Sequence, residues 1–271
     1  MPLRVSAISY LNAAPLMWDF EQGETARELA AHFDLSYTVP SRCAEQLSAG
    51  TADIGIIPVA AYTTIPDLVV VPDVAIAAKN AVRSILLISK VPVDKIRNVA
   101  TDDSSRTSAA LVEIFLRKFV GIAPGFSRQQ PVLKEMLKWH DAALLIGDRA
   151  LQASTEGYYV YDLAEQWRQW TGRPFVFAFW AVRKAALAEA KPQVDITRVF
   201  QESRDHGLAH LPEIVSAWAP RLGLPEMLVA DYLAENVDYS LDHENLEGLQ
   251  LFFQYAAECA VLPAAPEIRF L

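Results

Sequence analysis

Three short polar segments carry the residues of this chain whose types and spacing could do chemistry. They are Ser9 to Asn12, Asp103 to Ser108 and Ile146 to Asp148, and each joins a predicted strand to the start of a predicted helix. A helix start offers free backbone N–H groups and the positive end of the helix dipole, which suit a small anion. Since the carboxyl ends of parallel strands meet at one edge of a sheet, we expect the three segments to share a crevice that binds a carboxylate.

The second segment is the richest in hydrogen-bond donors, with Ser104, Ser105, Thr107 and Ser108 around Arg106. One hydroxyl is enough to cap a helix, which stabilises it by about 1 kcal/mol, so the surplus of donors favours ligand binding over simple capping. Two interpretations of Arg106 stay open. Either its guanidinium binds a carboxylate of the ligand in the cleft, or it pairs with an acidic side chain of the protein at the surface.

The first and third segments add further candidates. Asn12 follows the first strand, where its amide either caps the next helix or contacts a ligand. Ser9 and Tyr10 precede it, and Tyr10 is expected to form a wall of the cleft. Gly147 and Asp148 end a buried strand, and Asp148 either caps its own helix or contacts the ligand.

Ser84 is a candidate outside these segments. It stands between Arg83 and the apolar run 85–88. Its hydroxyl therefore lies either at the mouth of the cleft or at an ordinary strand edge.

Other chemistries lack their sequence patterns. The five histidines show no HExxH pattern, and Cys43 and Cys259 belong to no CxxC or Cys/His motif, so we expect no metal site and no disulfide. GxSxG, Walker A and GxGxxG motifs are also absent from the sequence. These absences argue against the commonest hydrolases, nucleotide-binding proteins and dinucleotide-binding proteins.

The elements that must position these residues alternate between short apolar strands and amphipathic helices, which predicts an α/β fold. We expect strands at 4–8, 35–39, 54–57, 69–71, 84–89, 98–101, 142–146, 158–162 and 175–182. A helix, or a loop followed by a helix, is expected at 12–20. Further helices are expected at 44–49, 105–119, 148–152 and 164–170, and from Lys184 onward with breaks near Gly207, Gly223 and Ser240.

The chain is expected to cross twice between two lobes. The segment Val91-Pro92-Val93 cannot sit inside a regular sheet, so it predicts the first crossing, and the long apolar strand 175–182 predicts the return. Lobe one would comprise residues 1–89 and 182–271, and lobe two residues 90–181. This is a two-lobed architecture with two hinge crossings around a central cleft.

Composition and charge narrow the partners. The chain has 271 residues, 52% apolar content and a formal net charge of -9. Nucleic acids and anionic membranes need clustered positive charge, which this sequence lacks, so neither is an expected partner. The sequence has no long apolar run and no secretory pattern near its start, which predicts a cytoplasmic location. We expect a monomer or homodimer that acts on a small molecule.

Six ordered blocks along nearly the whole chain resemble the chorismate dehydratase family of the futalosine route to menaquinone. The blocks are SYLNAAPL at 9–16, DIGIIPVAAY at 53–62, DSSRTSAAL at 103–111, ALLIGDRAL at 143–151, YDLAEQWRQWTGRPFVFAFW at 161–180, and NVDYSL with EGLQLFFQYA between 236 and 256. The resemblance implies a type II periplasmic-binding-protein-like fold and an enzyme without a cofactor. It also implies that chorismate loses water to give 3-(1-carboxyvinyloxy)benzoate.

The resemblance further implies roles for particular residues. Asn12 and Ser84 would lie near the reacting ring and take part in catalysis. Ser105, Arg106, Thr107 and Ser108 would hold a carboxylate of the substrate. The remaining candidates for substrate binding, expected from their places in the three segments, are Ser9, Tyr10, Ser104, Gly147 and Asp148.

Two alternatives to this function stay open. The enzyme 1,4-dihydroxy-6-naphthoate synthase shares the fold, but it carries a Ser-Pro-Cys-Pro-Asn-Asp type block where this chain has Ser9 to Asn12, which favours the dehydratase. A solute-binding protein of a transporter is the second alternative, because similarity of fold does not separate a binding protein from an enzyme.

Overall fold

Two five-stranded sheets define the two lobes of the molecule. The computed structural model describes residues 2–22, 25–190 and 193–271. The strands are β1 (Leu3–Ile8), β2 (Phe33–Thr38), β3 (Ile54–Pro58), β4 (Leu68–Ala78), β5 (Ile85–Ser89), β6 (Asn98–Asp102), β7 (Gly125–Gln129), β8 (Ala142–Ile146), β9 (Tyr159–Asp162) and β10 (Phe175–Arg183). The first sheet has the order β2-β1-β3-β10-β4 and the second the order β7-β6-β8-β5-β9.

Helices cover the faces of both sheets. They are α1 (Trp18–Glu21), α2 (Ala26–Leu29), α3 (Pro40–Ser48), α4 (Thr107–Ile114), α5 (Leu133–Trp139), α6 (Gly147–Leu151), α7 (Leu163–Thr171), α8 (Lys184–Ala190), α9 (Ile196–Ala209), α10 (Leu211–Leu222), α11 (Glu226–Asp231) and α12 (His243–Glu258). Short 3-10 helices span Leu11–Met17, Val59–Thr63 and Val93–Lys95, and π-helical turns span Phe115–Val120 and Tyr232–Asn236. This architecture confirms the expected two-lobed α/β fold.

The crossings between the lobes lie at other places than the sequence predicts. β5 pairs with β8 and β9 in the second sheet, so the first crossing is the segment 79–84. Val91-Pro92-Val93 lies within the second lobe, where the N–H of Val93 donates to the Tyr161 hydroxyl at 3.1 Å. A proline ends a strand both at a hinge and at an ordinary turn, and its presence in the sequence does not distinguish the two.

The return crossing also precedes its expected place. β10 pairs antiparallel with β3 and β4, so the whole strand belongs to the first sheet. The chain therefore returns between β9 and β10, through α7. Compared with the expected boundaries 1–89, 90–181 and 182–271, residues 85–89 belong to lobe two and residues 175–181 belong to lobe one.

Close packing of α9 explains a further difference. This helix packs on β4 and on the 3-10 helix Leu11–Met17, and it continues through Gly207, where the sequence predicts a break. A Cβ atom at Gly207 would lie 1.9 Å from the carbonyl oxygen of Pro15. The glycine permits this backbone contact and does not end the helix.

Other elements depart from prediction for local reasons. The sequence pattern predicts neither β7, a partly exposed edge strand without clear alternation, nor α5 after it. β4 runs to Ala78, far beyond the predicted 69–71. The helical run predicted from Lys184 includes residues 191 and 192, which lie outside the described residues. Within the described ranges, no helix has the length and apolar character needed to cross a membrane.

Candidate active site

The three polar turns meet between the lobes, as the sequence predicts. Tyr10 Oη and Ser104 Oγ are 3.3 Å apart. The N–H of Leu11 donates to Asp148 Oδ1 at 3.0 Å, and the N–H of Ser41 donates to the carbonyl of Ser104 at 3.2 Å. β1, β6 and β8 therefore end at one cleft, where the two lobes are closed on each other.

A small cavity of ≈ 50 Å³ lies behind these contacts. Asn12 and the turn that contains Ser105, Thr107 and Ser108 supply its polar lining, whereas isoleucines and Phe177 form apolar walls. One polar side and one apolar side suit a small ring that carries a carboxylate.

Asn12 caps no helix in this structure. The 3-10 helix Leu11–Met17 has no side-chain cap, and Asn12 lies inside it. Its Oδ1 atom is buried and has no hydrogen-bond partner among the described residues. Because buried acceptors are nearly always paired, an unpaired amide oxygen beside a cavity indicates a group held for a ligand.

The hydroxyls of the second turn divide between structure and cavity. Ser105 Oγ accepts from the N–H of Ser108 at 3.2 Å, which satisfies one free donor of α4. Thr107 Oγ1 donates to the carbonyl of Phe177 at 3.1 Å and accepts from the N–H of Ala60 at 3.2 Å, so it joins the two lobes. The surplus of hydroxyls therefore serves lobe contact as well as the cavity.

Ser104 lies at the outer side of the same turn. Its N–H and its hydroxyl both donate to Asp102 Oδ1, at 2.9 and 2.6 Å. Burial raises the pKa of Asp102, and these two hydrogen bonds oppose the increase. Asp102 thereby holds Ser104 in position against Tyr10.

Arg106 points away from the cavity. Its Nη2 atom lies 3.7 Å from Glu45 Oε1 of the first lobe, and the two side chains are 37% and 50% exposed. Of the two interpretations left open by the sequence, the structure shows the pair with a surface carboxylate.

Ser84 lies behind the cavity wall and not at the cleft mouth. It is fully buried, and its Oγ accepts from the Tyr232 hydroxyl at 2.8 Å. Its carbonyl accepts from the N–H of Gly147 at 2.8 Å. Gly147 has φ +56°, and a Cβ atom there would lie 2.8 Å from the Tyr10 ring, so the lobe contact requires glycine.

A wider groove of ≈ 790 Å³ opens at the cleft mouth, where Ser9, Tyr10, Ser104 and Asp148 form part of its lining. Asp148 does not cap α6, because its carboxylate accepts from Leu11 across the cleft. Burial raises the pKa of Asp148 from 3.8 to about 6, and the hydrogen bond from Leu11 opposes that increase. Burial also raises the pKa of Tyr10.

Sequence reasoning misses Tyr232 in this site. The residue is 0% exposed and lies in the π-helical turn Tyr232–Asn236, far from the three turns along the chain. Buried tyrosines are common in cores, and no local pattern sets this one apart.

Solved structures with the same fold are solute-binding proteins and a structural-genomics target. A protein from Archaeoglobus fulgidus superposes with a TM-score of 0.74 at 13% identity, over 96% of this chain and 98% of that one. The periplasmic aliphatic sulphonate-binding protein SsuA from Escherichia coli gives 0.65 at 17% identity, over 98% and 95%. These likenesses show the periplasmic-binding-protein fold and nothing more.

Sequence comparison is more specific. A family described as menaquinone biosynthesis matches residues 3–258. The chorismate dehydratase of Thermus thermophilus is 32% identical over 252 residues, which are 86% of this chain and 89% of that protein. The extent of both matches, together with the convergence of the three turns on one cavity, shows that this chain belongs to the menaquinone-biosynthesis family that contains chorismate dehydratase.

Proposed function

We propose that this chain is a hydro-lyase that removes water from chorismate to give 3-(1-carboxyvinyloxy)benzoate. The observation that carries the proposal is the unpaired amide oxygen of Asn12 beside a half-polar cavity, in a chain 32% identical to a chorismate dehydratase. Since chorismate is a biosynthetic intermediate made inside cells, we also propose a cytoplasmic site of action.

The reaction makes modest demands on a protein. The proton on C3 of chorismate is acidified through the ring diene by the C1 carboxylate. When the C3–H and C4–O bonds break, the electron pair of the first forms the C3–C4 double bond and the C4 hydroxyl leaves, so the net loss is one water. The ring becomes aromatic, which drives the reaction, and the enzyme must chiefly orient the substrate and stabilise the charge that spreads into the ring.

The residues of the cavity fit these demands. Asn12 Oδ1 is an acceptor that suits the C4 hydroxyl of the substrate, which can donate to it. Ser108 and Ser105, at the N-terminus of α4, would hold a carboxylate, and Phe177 would lie against the ring. Ser84 and Arg106 would not touch the substrate in the closed form, in contrast to the roles implied by the family resemblance.

Closure of the lobes is part of the proposal. A cavity of ≈ 50 Å³ is too small to take up a ring with two carboxylate-bearing groups unless the lobes separate. The contacts of Tyr10 with Ser104 and of Leu11 with Asp148 would break on opening and form again around the substrate. Closed lobes keep water from the reacting ring, which strengthens each polar contact within.

Incubation of the purified protein with chorismate tests this function. We expect a product lighter by the mass of one water, accompanied by new aromatic absorbance. Binding of chorismate without any change in its mass would overturn the proposal and favour a solute-binding protein. A parallel reaction with heat-denatured protein controls for spontaneous decay of the substrate.

A further inference from the structure

Tyr10 separates two spaces of the cleft. On one side lies the cavity of ≈ 50 Å³ that Asn12 lines, and on the other side lies the groove of ≈ 790 Å³ at the cleft mouth. Among the described residues, Tyr10 alone lines both spaces. Displacement of this one ring would therefore join the cavity to the groove, and the joined space has the roughly 300–1,000 Å³ that small-molecule sites occupy.

Hydrogen bonds hold the main chain on both sides of Tyr10. The N–H of Ser9 donates to the carbonyl of Thr38 at 3.1 Å within the first lobe, and the N–H of Leu11 donates to Asp148 Oδ1 of the second lobe at 3.0 Å. The Tyr10 ring extends from this segment toward the second lobe, where Gly147 leaves room for it.

A directional chain of hydrogen bonds holds the Tyr10 hydroxyl on the second lobe. Ser104 Oγ lies 2.6 Å from Asp102 Oδ1 and donates its only proton to that carboxylate. Tyr10 Oη, which is 3.3 Å from the same Ser104 Oγ, is therefore the donor in the bond between the lobes. Burial raises the pKa of Tyr10, so the phenol keeps the proton that this bond requires.

Asp102 fixes both the backbone and the side chain of Ser104. The N–H of Ser104 also donates to Asp102 Oδ1, at 2.9 Å, and Asp102 is 1% exposed. These bonds lie within the second lobe, so they persist when the lobes separate. The bond from Tyr10, by contrast, is longer than the about 2.5–3.0 Å usual between two hydroxyls, which suits a contact that breaks and forms in each catalytic cycle.

We propose that Tyr10 is a gate between the groove and the cavity. Substrate enters the cavity from the groove, and the Tyr10 ring closes the passage behind it when its hydroxyl binds Ser104. Asp102 is a positioning residue of this gate, because it holds Ser104 Oγ as an acceptor that faces Tyr10. This inference rests on the proposed dehydratase function, since the gate acts on the substrate of that reaction.

Tyr10→Phe and Ser104→Ala are the direct tests, because each removes one hydroxyl and leaves the ring in place. Without the bond the closed gate is less populated, so bound chorismate dissociates faster. We expect KM to rise about 3- to 10-fold, the range of one neutral hydrogen bond, while kcat stays within about threefold because the groups that line the cavity are intact. The double variant should show no larger rise than either single variant, since both lose the same bond.

Two substitutions of Asp102 test its positioning role. Asp102→Asn keeps an oxygen that accepts from Ser104, whereas Asp102→Ala does not. We expect the KM of Asp102→Asn to stay within about twofold of the wild type and that of Asp102→Ala to rise as in Ser104→Ala. An equal rise of KM in both Asp102 variants would overturn the positioning role, because the acceptor alone would then not be sufficient.

Tyr161→Phe is the matched control. Its hydroxyl also makes one hydrogen bond, from the N–H of Val93 at 3.1 Å, and the residue lines neither space. Hydrogen exchange gives a second measurement that needs no substrate, because the amides of Leu11 and Ser41 donate across the cleft. These amides should exchange about 3- to 10-fold faster in Tyr10→Phe and Ser104→Ala and at the wild-type rate in Tyr161→Phe.

The outcomes separate this inference from the function on which it rests. If the wild type fails to convert chorismate, the proposed function is wrong, and hydrogen exchange still shows whether the Tyr10 hydroxyl closes the cleft. If the wild type is active and both hydroxyl variants keep its KM and its exchange rates, only the gate is overturned. A loss of kcat of about 10²-fold in Tyr10→Phe would also overturn the gate, because that loss is the scale of a group that acts on the reacting ring.

Discussion

Replacing Asn12 with alanine distinguishes two roles of its side chain, binding of the ligand and capping of a helix. If Asn12 binds the ligand, turnover falls and the fold keeps its stability. If Asn12 caps a helix, the fold loses stability and turnover is unchanged. We expect Asn12→Ala to lower kcat by about 10²-fold or more, the scale seen when one preorganised polar group at a reacting centre is removed.

The stability expected of Asn12→Ala follows from its hydrogen bonds. Its buried Oδ1 has no partner among the described residues, and such an unpaired acceptor costs about 1–3 kcal/mol that the substitution removes. The free energy of unfolding should therefore stay unchanged or rise by up to about 3 kcal/mol. For a chain of this size that is a melting temperature unchanged or higher by several degrees.

Chorismate turnover and thermal unfolding, measured on the same preparations, test the expected fall in kcat and the expected change in the free energy of unfolding. Asn98→Ala is a matched control, because Asn98 Oδ1 accepts from the N–H of Asp141 at 2.6 Å and lies outside the cavity lining. That variant should lose about 1 kcal/mol of stability and keep its turnover. A destabilised but active Asn12→Ala would refute the assignment of Asn12 to the ligand.

Four further substitutions test the lobe contacts. Gly147→Ala should reduce both stability and kcat/KM, by about 1–2 kcal/mol for the left-handed backbone alone, because its Cβ also meets the Tyr10 ring; kinetics and melting curves check this. Arg106→Ala and Glu45→Ala should each change KM by less than about fivefold, as for an exposed ion pair, and a larger effect of Arg106→Ala alone would place Arg106 on the substrate. Burial raises the pKa of Asp148 to about 6, so the stability it contributes is complete below pH 3.8 and is lost as pH rises through 6. Asp148→Asn should abolish that loss of about 2–3 kcal/mol in melting curves recorded from pH 4 to 8, and an unchanged pH profile would contradict it.

The sequence predicts the meeting of the three turns because that depends on local signals. Ser9 to Asn12 and Ile146 to Asp148 each follow a short apolar strand, and strand ends in an α/β sheet share an edge. Gly147, in the second of these segments, is more important for the lobe contact than its place at the end of a strand suggests. Its positive φ and the Tyr10 ring above it leave no room for a side chain.

Orientation of side chains depends on neighbours that sequence spacing does not reveal. Arg106 belongs to the donor-rich turn, yet its charge is drawn to Glu45 on the facing lobe. Ser84 ends the first crossing, and its hydroxyl faces the interior because it pairs with Tyr232, a residue from the C-terminal helices. The predicted lobe boundaries are wrong for a related reason. Pro92 lies in a turn inside the second lobe, and the sheet to which a strand belongs depends on distant partners: β5 pairs with β8, and β10 pairs with β4.

Both crossings border the proposed site, which connects lobe closure to the assembly of its polar groups. Ser84 ends the first crossing, and its carbonyl receives the N–H of Gly147 from the second lobe. Phe177, in the strand that follows the return crossing, receives the Thr107 hydroxyl from the same lobe. Rotation of one lobe about these crossings would separate Ser84 from Gly147 and Thr107 from Phe177. The movement that excludes water from the cavity therefore also forms the contacts that border it, so binding and catalysis should be lost together when closure is blocked.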